Sequence, residues 1–332
     1  MKKLRLAYFG TPDFSAAFLE KMYADKDLPI EIALVVTQED KIVGRNSEPT
    51  SNAVKTFAKT HNIDIAHSLS GYDCTYREID IAFVFAYGKI IKQDLLRAPK
   101  LGFWNLHPSM LPNFRGASPT VYPLILGKDQ TGVSLMVMDE EMDHGPIIEQ
   151  VPLPISATIT HKDLLTELTS IGYTLFAKHI KQLAAGTMDY SDLPVQNHTA
   201  ATFTRMLSRD DGRIELALLQ KALNKEHIES AELPVLIQQY LGKNTITEYP
   251  IPYAPYIVYN LYRGLHPWPG VWTEVTIGDV SKRLKLTSMA LQGQDLVIQR
   301  VQLEGKNEVD FAQFQAAYPS VGGPTPTASV LE

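Results

Sequence analysis

The stretch Ile79-Asp80-Ile81-Ala82-Phe83-Val84-Phe85-Ala86 is an almost unbroken β-branched and aromatic run. A strand of that composition has to be covered on both faces, which is the situation of an inner strand in a parallel sheet. On either side of it, strand patterns alternate with helical ones. Upstream, Lys3 to Phe9 and Ile30 to Thr37 read as strands, Phe14 to Tyr23 as a helix capped by Asp13, and Thr50 to Thr60 as the next helix. Downstream, Gly102 to His107 and Val133 to Met138 read as strands, and His161 to Leu183 as a long amphipathic helix. The alternation predicts an α/β fold with a doubly wound, mostly parallel sheet, whose ligands bind beyond the carboxyl ends of the strands. Gly10-Thr11-Pro12-Asp13 is not a G-x-G-x-x-G turn, so a nicotinamide cofactor is not indicated.

The chain has 332 residues, 45% of them hydrophobic, and a net charge of -6, which suits a globular protein of about two domains. Its single cysteine, Cys74, excludes an intrachain disulfide and argues against a cysteine-based zinc site; no metal is expected. Arg5 interrupts an N-terminal apolar run already too short for a signal-peptide core, and no stretch approaches the roughly 20 apolar residues of a membrane span. A cytoplasmic protein with no membrane partner is the expectation, and a monomer.

The pattern changes after Gly186. Asp189 to Gln196 reads as linker, Arg205 to Arg213 is rich in charge, and helical patterns then give way to short strands at Val271 to Ile277, Arg283 to Leu291 and Leu296 to Leu303. This places a catalytic domain over 1–188, a linker over 189–208, a smaller α+β domain over 209–320 and a disordered tail over 321–332.

Chemistry is suggested where the strand Gly102 to His107 ends. Asn105 and His107 are two residues apart, so they share a face of that strand, and Pro108 terminates it. Singly, each has an ordinary structural explanation: a satisfied core histidine, a turn-forming asparagine, and, at Asp143 before His144 and Gly145, an aspartate that shapes a loop. Their spacing within a longer word outweighs this. Asn105-Leu106-His107-Pro108-Ser109-Met110-Leu111-Pro112, then Arg115-Gly116 and Pro119, then Thr131-Gly132-Val133, a short apolar strand and the acidic loop ending Asp143-His144-Gly145 form one pattern.

That pattern resembles the formyltransferases that use 10-formyltetrahydrofolate, and most closely the methionyl-tRNA formyltransferase family. Phe9 to Phe14, Val36 to Gln38 with Gly44-Arg45, Ala86-Tyr87-Gly88, His266-Pro267-Trp268-Pro269-Gly270 and Val301 to Lys306 extend the resemblance along most of the chain. It implies a Rossmann-like catalytic domain followed by an OB-like domain that contacts tRNA. The implied reaction carries the formyl group of 10-formyltetrahydrofolate to the amine of methionine esterified to initiator tRNA, for translation initiation.

Roles follow from that chemistry. His107 is the candidate proton carrier, because an imidazole ordinarily titrates near 6.5. Asp143 would orient the ring and stabilise its cation, and the Asn105 amide would donate to the oxyanion. The amine is itself the nucleophile, so no covalent intermediate is needed. Ser109-Met110-Leu111-Pro112 corresponds to the family's folate-binding tetrapeptide, with Met110 a volume-conserving replacement for leucine. Ala86, Tyr87, Gly88, Lys89 and Ile90, with the loop from Asp139 to Asp143, would line the pterin pocket. Arg45 and Lys41, in the loop after the second strand, would meet the tRNA.

The chain departs from the family between Ile214 and His266, where Lys221 to Pro255 reads as an insertion, and Leu216 stands where a tryptophan is expected. Three other readings stay open: a sugar-nucleotide N-formyltransferase, a formyltetrahydrofolate hydrolase, and a noncatalytic RNA- or folate-binding protein on the same fold.

Overall fold

The computed structural model describes residues 3–42, 49–67, 78–190, 192–244, 246 and 249–319. Contacts divide the chain into two compact units, Met1–Pro119 with Gln130–Pro154 and Asp163–Thr202, and Thr120–Asp129 with Ile155–Lys162 and Phe203–Glu332.

The first unit is built on a seven-stranded sheet. In chain order its strands are β1 (Leu4–Phe9), β2 (Ile30–Val36), β3 (Ile65–Ala66), β4 (Ile81–Val84), β5 (Phe103–His107), β6 (Gln130–Val137) and β7 (Ile147–Pro154), and in space they run β7-β6-β5-β4-β1-β2-β3. The pairs β3/β2, β2/β1, β1/β4 and β4/β5 are parallel, whereas β6 runs antiparallel to both its neighbours. The strand order reverses between β1 and β4, which makes their carboxyl ends the place where such sheets open a crevice.

β4 satisfies the burial its sequence demands. Phe83 turns to one face, where Phe18 stacks on it at 5.3 Å and Phe176 lies at 4.5 Å. Ala82 and Val84 turn to the other and join Phe9, Leu34, Val36 and Phe103 in a second core layer. Phe18 belongs to helix α1 (Asp13–Ala24) and Phe176 to a later helix, His161–Ala184, so both helices lie against the same face of the sheet. Tyr173 ties them together, donating its hydroxyl to Asp25 Oδ2 at 2.6 Å.

That hydrogen bond is the main cause holding the Asp25 carboxyl below the usual carboxylate range. A depressed folded pKa contributes stability that is present above the unfolded value and is lost as pH falls through the folded one. Tyr173→Phe should therefore cost about 1 kcal/mol in urea unfolding at neutral pH. The gap to wild type should narrow below about pH 3.9; a gap that stays constant with pH would refute the assignment.

In this unit the structure departs from the sequence reading at two helix starts and one strand. Asp13 is not the cap of α1: Pro12 takes that position with extended backbone, and Asp13 is the first helical residue, where its charge meets the positive end of the helix dipole. The second helix, α2 (Ala53–Thr60), starts at Ala53 rather than Thr50, because Asn52 caps it by accepting from the Lys55 amide at 2.9 Å. β7 has no counterpart among the strands read from the sequence, and its Pro152 and Pro154 exclude an inner position. It is an edge strand, where prolines facing away from the ladder are tolerated.

The second unit contains, in this order, the short helix Val121–Ile125, the helices Leu216–Leu223, Val235–Lys243 and Ala254–Leu265, and four strands, Val271–Ile277, Val280–Gln292, Asp295–Leu303 and Glu308–Asp310. The four strands pair antiparallel in sequence order as a meander. The unit is β-rich as expected, but closure into an OB-like barrel is not among the pairings of the described residues. The stretch from Lys221 to Pro255 supplies the end of one helix, a 3-10 turn at Ser230–Glu232 and the whole helix Val235–Lys243. Two segments from the first half of the sequence join this unit: Ile155 N donates to Asp129 O at 2.7 Å, and Arg263 Nη1 to Ser156 O at 2.9 Å. No helix among the described residues is long and apolar enough to cross a membrane.

Candidate active site

β5 brings two polar side chains into the sheet. Asn105 lies opposite Val84 and Met136, and His107 opposite Ser134; both are buried. Beyond His107 the chain turns through the tetrapeptide from Ser109 to Pro112, which is fixed from within. Ser109 Oγ donates to Asn113 O at 2.7 Å, and Ser134 Oγ donates to Ser109 O at 2.6 Å while accepting from Leu111 N at 3.1 Å. Gln150 Nε2 donates to Leu111 O at 2.9 Å and to Ser134 Oγ at 2.7 Å.

Asp143 arrives from the loop after β6. Its position is set by Gly145, where an added Cβ would stand 2.0 Å from Val137 O, so the returning backbone lies directly on the strand end. Asp143 itself has φ of 50°, a left-handed conformation that a short polar residue tolerates best. Its Oδ1 accepts from Asn105 Nδ2 at 3.2 Å and its Oδ2 from the Gly116 amide at 2.7 Å, with His107 Nδ1 at 3.6 Å from Oδ2. The three residues singled out from sequence therefore converge.

The imidazole is anchored at one nitrogen and faces the carboxylate with the other. His107 Nε2 lies 3.0 Å from the Phe114 carbonyl oxygen, which can only accept, so Nε2 carries a hydrogen and Nδ1 is the nitrogen that exchanges a proton. That nitrogen faces the Asp143 carboxylate. An amide nitrogen has two hydrogens, and Asn105 uses one of them on Asp143, leaving the second for an oxygen on the substrate.

A further polar network surrounds this centre. Arg115 is buried, and burial pushes its guanidinium below the ordinary arginine range against the opposing pull of Asp143, Asp139 and Glu141. Its Nε and Nη2 donate to Gln196 Oε1 at 3.2 and 2.7 Å, and Nη2 also lies 2.9 Å from His198 Nδ1. Gln196 Nε2 donates in turn to Asp143 O at 3.0 Å and to Gly145 O at 2.8 Å. His198 stacks on His144 with 3.7 Å between ring centroids, and His144 Nδ1 lies 2.6 Å from Asp139 Oδ2. Arg115 stands in the motif, next to a glycine whose amide reaches Asp143. Gln196 and His198 lie in the stretch that reads as linker, and nothing in their sequence neighbourhood marks them.

The residues expected around a folate are arranged as follows. The loop after β4 is pinned at its centre: Tyr87 packs edge-on against Phe9 at 5.5 Å, and its carbonyl accepts from Thr11 Oγ1 and Gln38 Nε2, each at 2.9 Å. Around that anchor Ala86, with φ of 57°, and Gly88, Lys89 and Ile90 are exposed, Ile90 to 96%. The loop from Asp139 to Asp143 leaves the sheet beside it, since Met138 packs on the core layer that contains Tyr87, and Met142 is exposed. Met110 and Leu111 behave differently. The Met110 sulfur fills the space above Gly132, 2.4 Å from where a Cβ would stand, and Leu111 packs with Met136 and Ile147. Leu111 and Pro112 also line a cleft of about 350 Å³ with Ile147 to Gln150 and Pro194 to Asn197. Of the two basic residues expected to meet RNA, Arg45 lies outside the described residues. Lys41 pairs with Thr50 through its backbone, and its side chain lies outside the description.

Comparison with known proteins gives a consistent result. The formyl transferase family profile matches residues 2–180. A methionyl-tRNA formyltransferase from Chloroflexus aurantiacus is 34% identical over 221 residues, covering 65% of this chain and 69% of that protein. One from Protochlamydia amoebophila is 31% identical over 297 residues, covering 86% and 79%. Among solved structures, the N-formyltransferase from Helicobacter canadensis in complex with folinic acid and dTDP-3-aminofucose superposes with a TM-score of 0.54 at 18% identity, covering 88% of this chain and 89% of that one. At that identity the likeness concerns the fold.

Proposed function

The chain belongs to the methionyl-tRNA formyltransferase family, and from that membership we propose that it transfers the formyl group of 10-formyltetrahydrofolate to the amine of methionine on initiator tRNA. The product is N-formylmethionyl-tRNA for translation initiation. The observation that carries the reading is the convergence of Asn105, His107 and Asp143 at the end of β5, where the amide donates to the carboxylate at 3.2 Å and the imidazole Nδ1 stands 3.6 Å from it.

The arrangement suits attack of a neutral amine on the formyl carbon. As the carbon–nitrogen bond forms, the carbonyl oxygen gains negative charge, and the second Asn105 N–H is the donor for it; losing such a donor typically costs about 10²–10³ in rate. The amine must lose a proton, which His107 accepts at Nδ1, and the resulting imidazolium is stabilised by Asp143 Oδ2. Collapse breaks the bond between the formyl carbon and N10, and the same proton passes to the departing nitrogen. Atoms and charge balance without a covalent enzyme intermediate.

The remaining assignments belong to the same reading. Ala86, Tyr87, Gly88, Lys89 and Ile90, with Asp139, line the pterin side. Ser109 to Pro112 complete that side as the folate-binding tetrapeptide, held in shape by the Ser109 hydroxyl on Asn113 O and by Met110 in the space above Gly132. Arg45 and Lys41 meet the RNA, residues 1–188 form the catalytic part, and 209–320 take the bulk of the tRNA. A cytoplasmic location accords with the substrates.

The test is direct: purified protein is given 10-formyltetrahydrofolate with charged initiator tRNA, charged elongator methionine tRNA, or amino-sugar nucleotides, and formyl incorporation is followed. Formylation of the initiator is expected. Activity confined to the sugars would overturn the reading.

A further inference from the structure

We propose that Gln196 is a positioning residue for the catalytic carboxylate, joining the loop that carries Asp143 to the segment that holds both Asp143 and His107 from the other side. This rests on the formyl-transfer reading of the site. Gln196 is buried, and its amide is used at both ends: Nε2 donates to Asp143 O and Gly145 O, and Oε1 accepts twice from Arg115. The neighbours of Arg115 are the two backbone groups that fix the reacting pair. The Phe114 carbonyl accepts from His107 Nε2, and the Gly116 amide donates to Asp143 Oδ2. One side chain thus connects the backbone of Asp143 to the triplet Phe114-Arg115-Gly116, and the separation of 3.6 Å between His107 Nδ1 and Asp143 Oδ2 is set across that connection. Gln196 does not touch the reacting atoms. Its effect is exerted through Asp143.

Glutamine suits this position because each end needs a different group. The two carbonyls require a donor, and the buried guanidinium requires an acceptor. Glutamate would keep the acceptor and gain an ion pair with Arg115, but would set a carboxylate against two carbonyl oxygens. Gln196→Glu therefore separates a merely structural role from a positioning one, since it retains the Arg115 partner while repelling the Asp143 loop.

Gln196→Glu is expected to lower kcat by about 10²-fold, the scale of a misplacement near 1 Å. KM for each substrate should stay within about twofold and the melting temperature should remain close to wild type. Gln196→Met, which removes all four hydrogen bonds at similar volume, is the second variant and should act in the same direction. Unchanged kcat in either folded variant would overturn the proposal, as would a loss confined to KM, or a failure of both variants to fold. NMR chemical shifts of the His107 imidazole, compared between wild type and variant at one fixed pH, read the same displacement without turnover, and unchanged shifts in a folded variant would overturn the proposal. If the wild type proves inactive on methionyl-tRNA, the formylation reading fails, while the NMR comparison still decides the role of Gln196.

Discussion

Replacing His107 by glutamine is expected to lower kcat for formyl transfer by about 10²–10⁴-fold, the usual contribution of a positioned general acid or base, while the protein still folds. The imidazole is 4% exposed, and its Nε2 is bound to the Phe114 carbonyl. Glutamine can return an N–H to that carbonyl, so the buried acceptor keeps a partner and the loop after β5 keeps its anchor. An amide cannot take a proton near neutral pH, so the attacking amine would have to lose its proton to water. The loss should appear in kcat, with KM for the folate little altered, because the ring acts on the proton in flight rather than on the bound ground state. Steady-state kinetics with charged initiator tRNA, beside thermal melting of the same preparation, decide the matter. Turnover within tenfold of wild type would remove His107 from the mechanism and favour a binding function for the site.

How much of this could be read from the sequence depends on the kind of force that fixes each feature. Ile79 to Ala86 announces a doubly covered strand because burial on two faces leaves no polar alternation, and β4 is buried throughout. Asn105 and His107 are equally legible, since strand periodicity places them on one face whatever the rest of the chain does. Asp143 needs tertiary structure to reach them. Its place in the motif identifies it, but its geometry depends on the close approach at Gly145 and on a donor, the Gly116 amide, that any residue except proline could supply. Gln196 was illegible for a related reason. A glutamine in a polar, proline-containing stretch reads as solvent-exposed linker, and only the fold shows it buried, with partners more than 50 residues away for Asp143 and more than 80 for Arg115. Backbone groups such as the Phe114 carbonyl leave no trace in residue identity at all. β7 carries two prolines, which exclude an inner strand and are silent about an edge one.

The second large effect is expected from Asp143→Asn, a change of one atom. Every neighbour of this carboxylate can present a hydrogen to it: Asn105 Nδ2 to Oδ1, the Gly116 amide to Oδ2, and protonated His107 Nδ1 to Oδ2. Asparagine has one acceptor and one donor to offer in their place. If its amide nitrogen takes the Oδ2 position, it opposes the Gly116 N–H and donates to His107 Nδ1, occupying the lone pair that should receive the substrate proton. If it takes the Oδ1 position, it opposes the Asn105 amide, which relieves the clash only by rotating and carrying its second N–H away from the oxyanion. Both orientations also remove the negative charge that stabilises the imidazolium. The expected fall in kcat is about 10³–10⁴-fold, comparable to fixing the wrong tautomer in a hydrogen-bonded histidine–aspartate pair. The two orientations are distinguishable by a double-mutant cycle with Asn105→Ala. In the second orientation Asn105 has already lost its role, so the added substitution should cost little beyond Asp143→Asn alone. In the first the two losses should approach additivity. A single variant retaining kcat within tenfold of wild type would show that the carboxylate shapes the loop and takes no part in proton transfer.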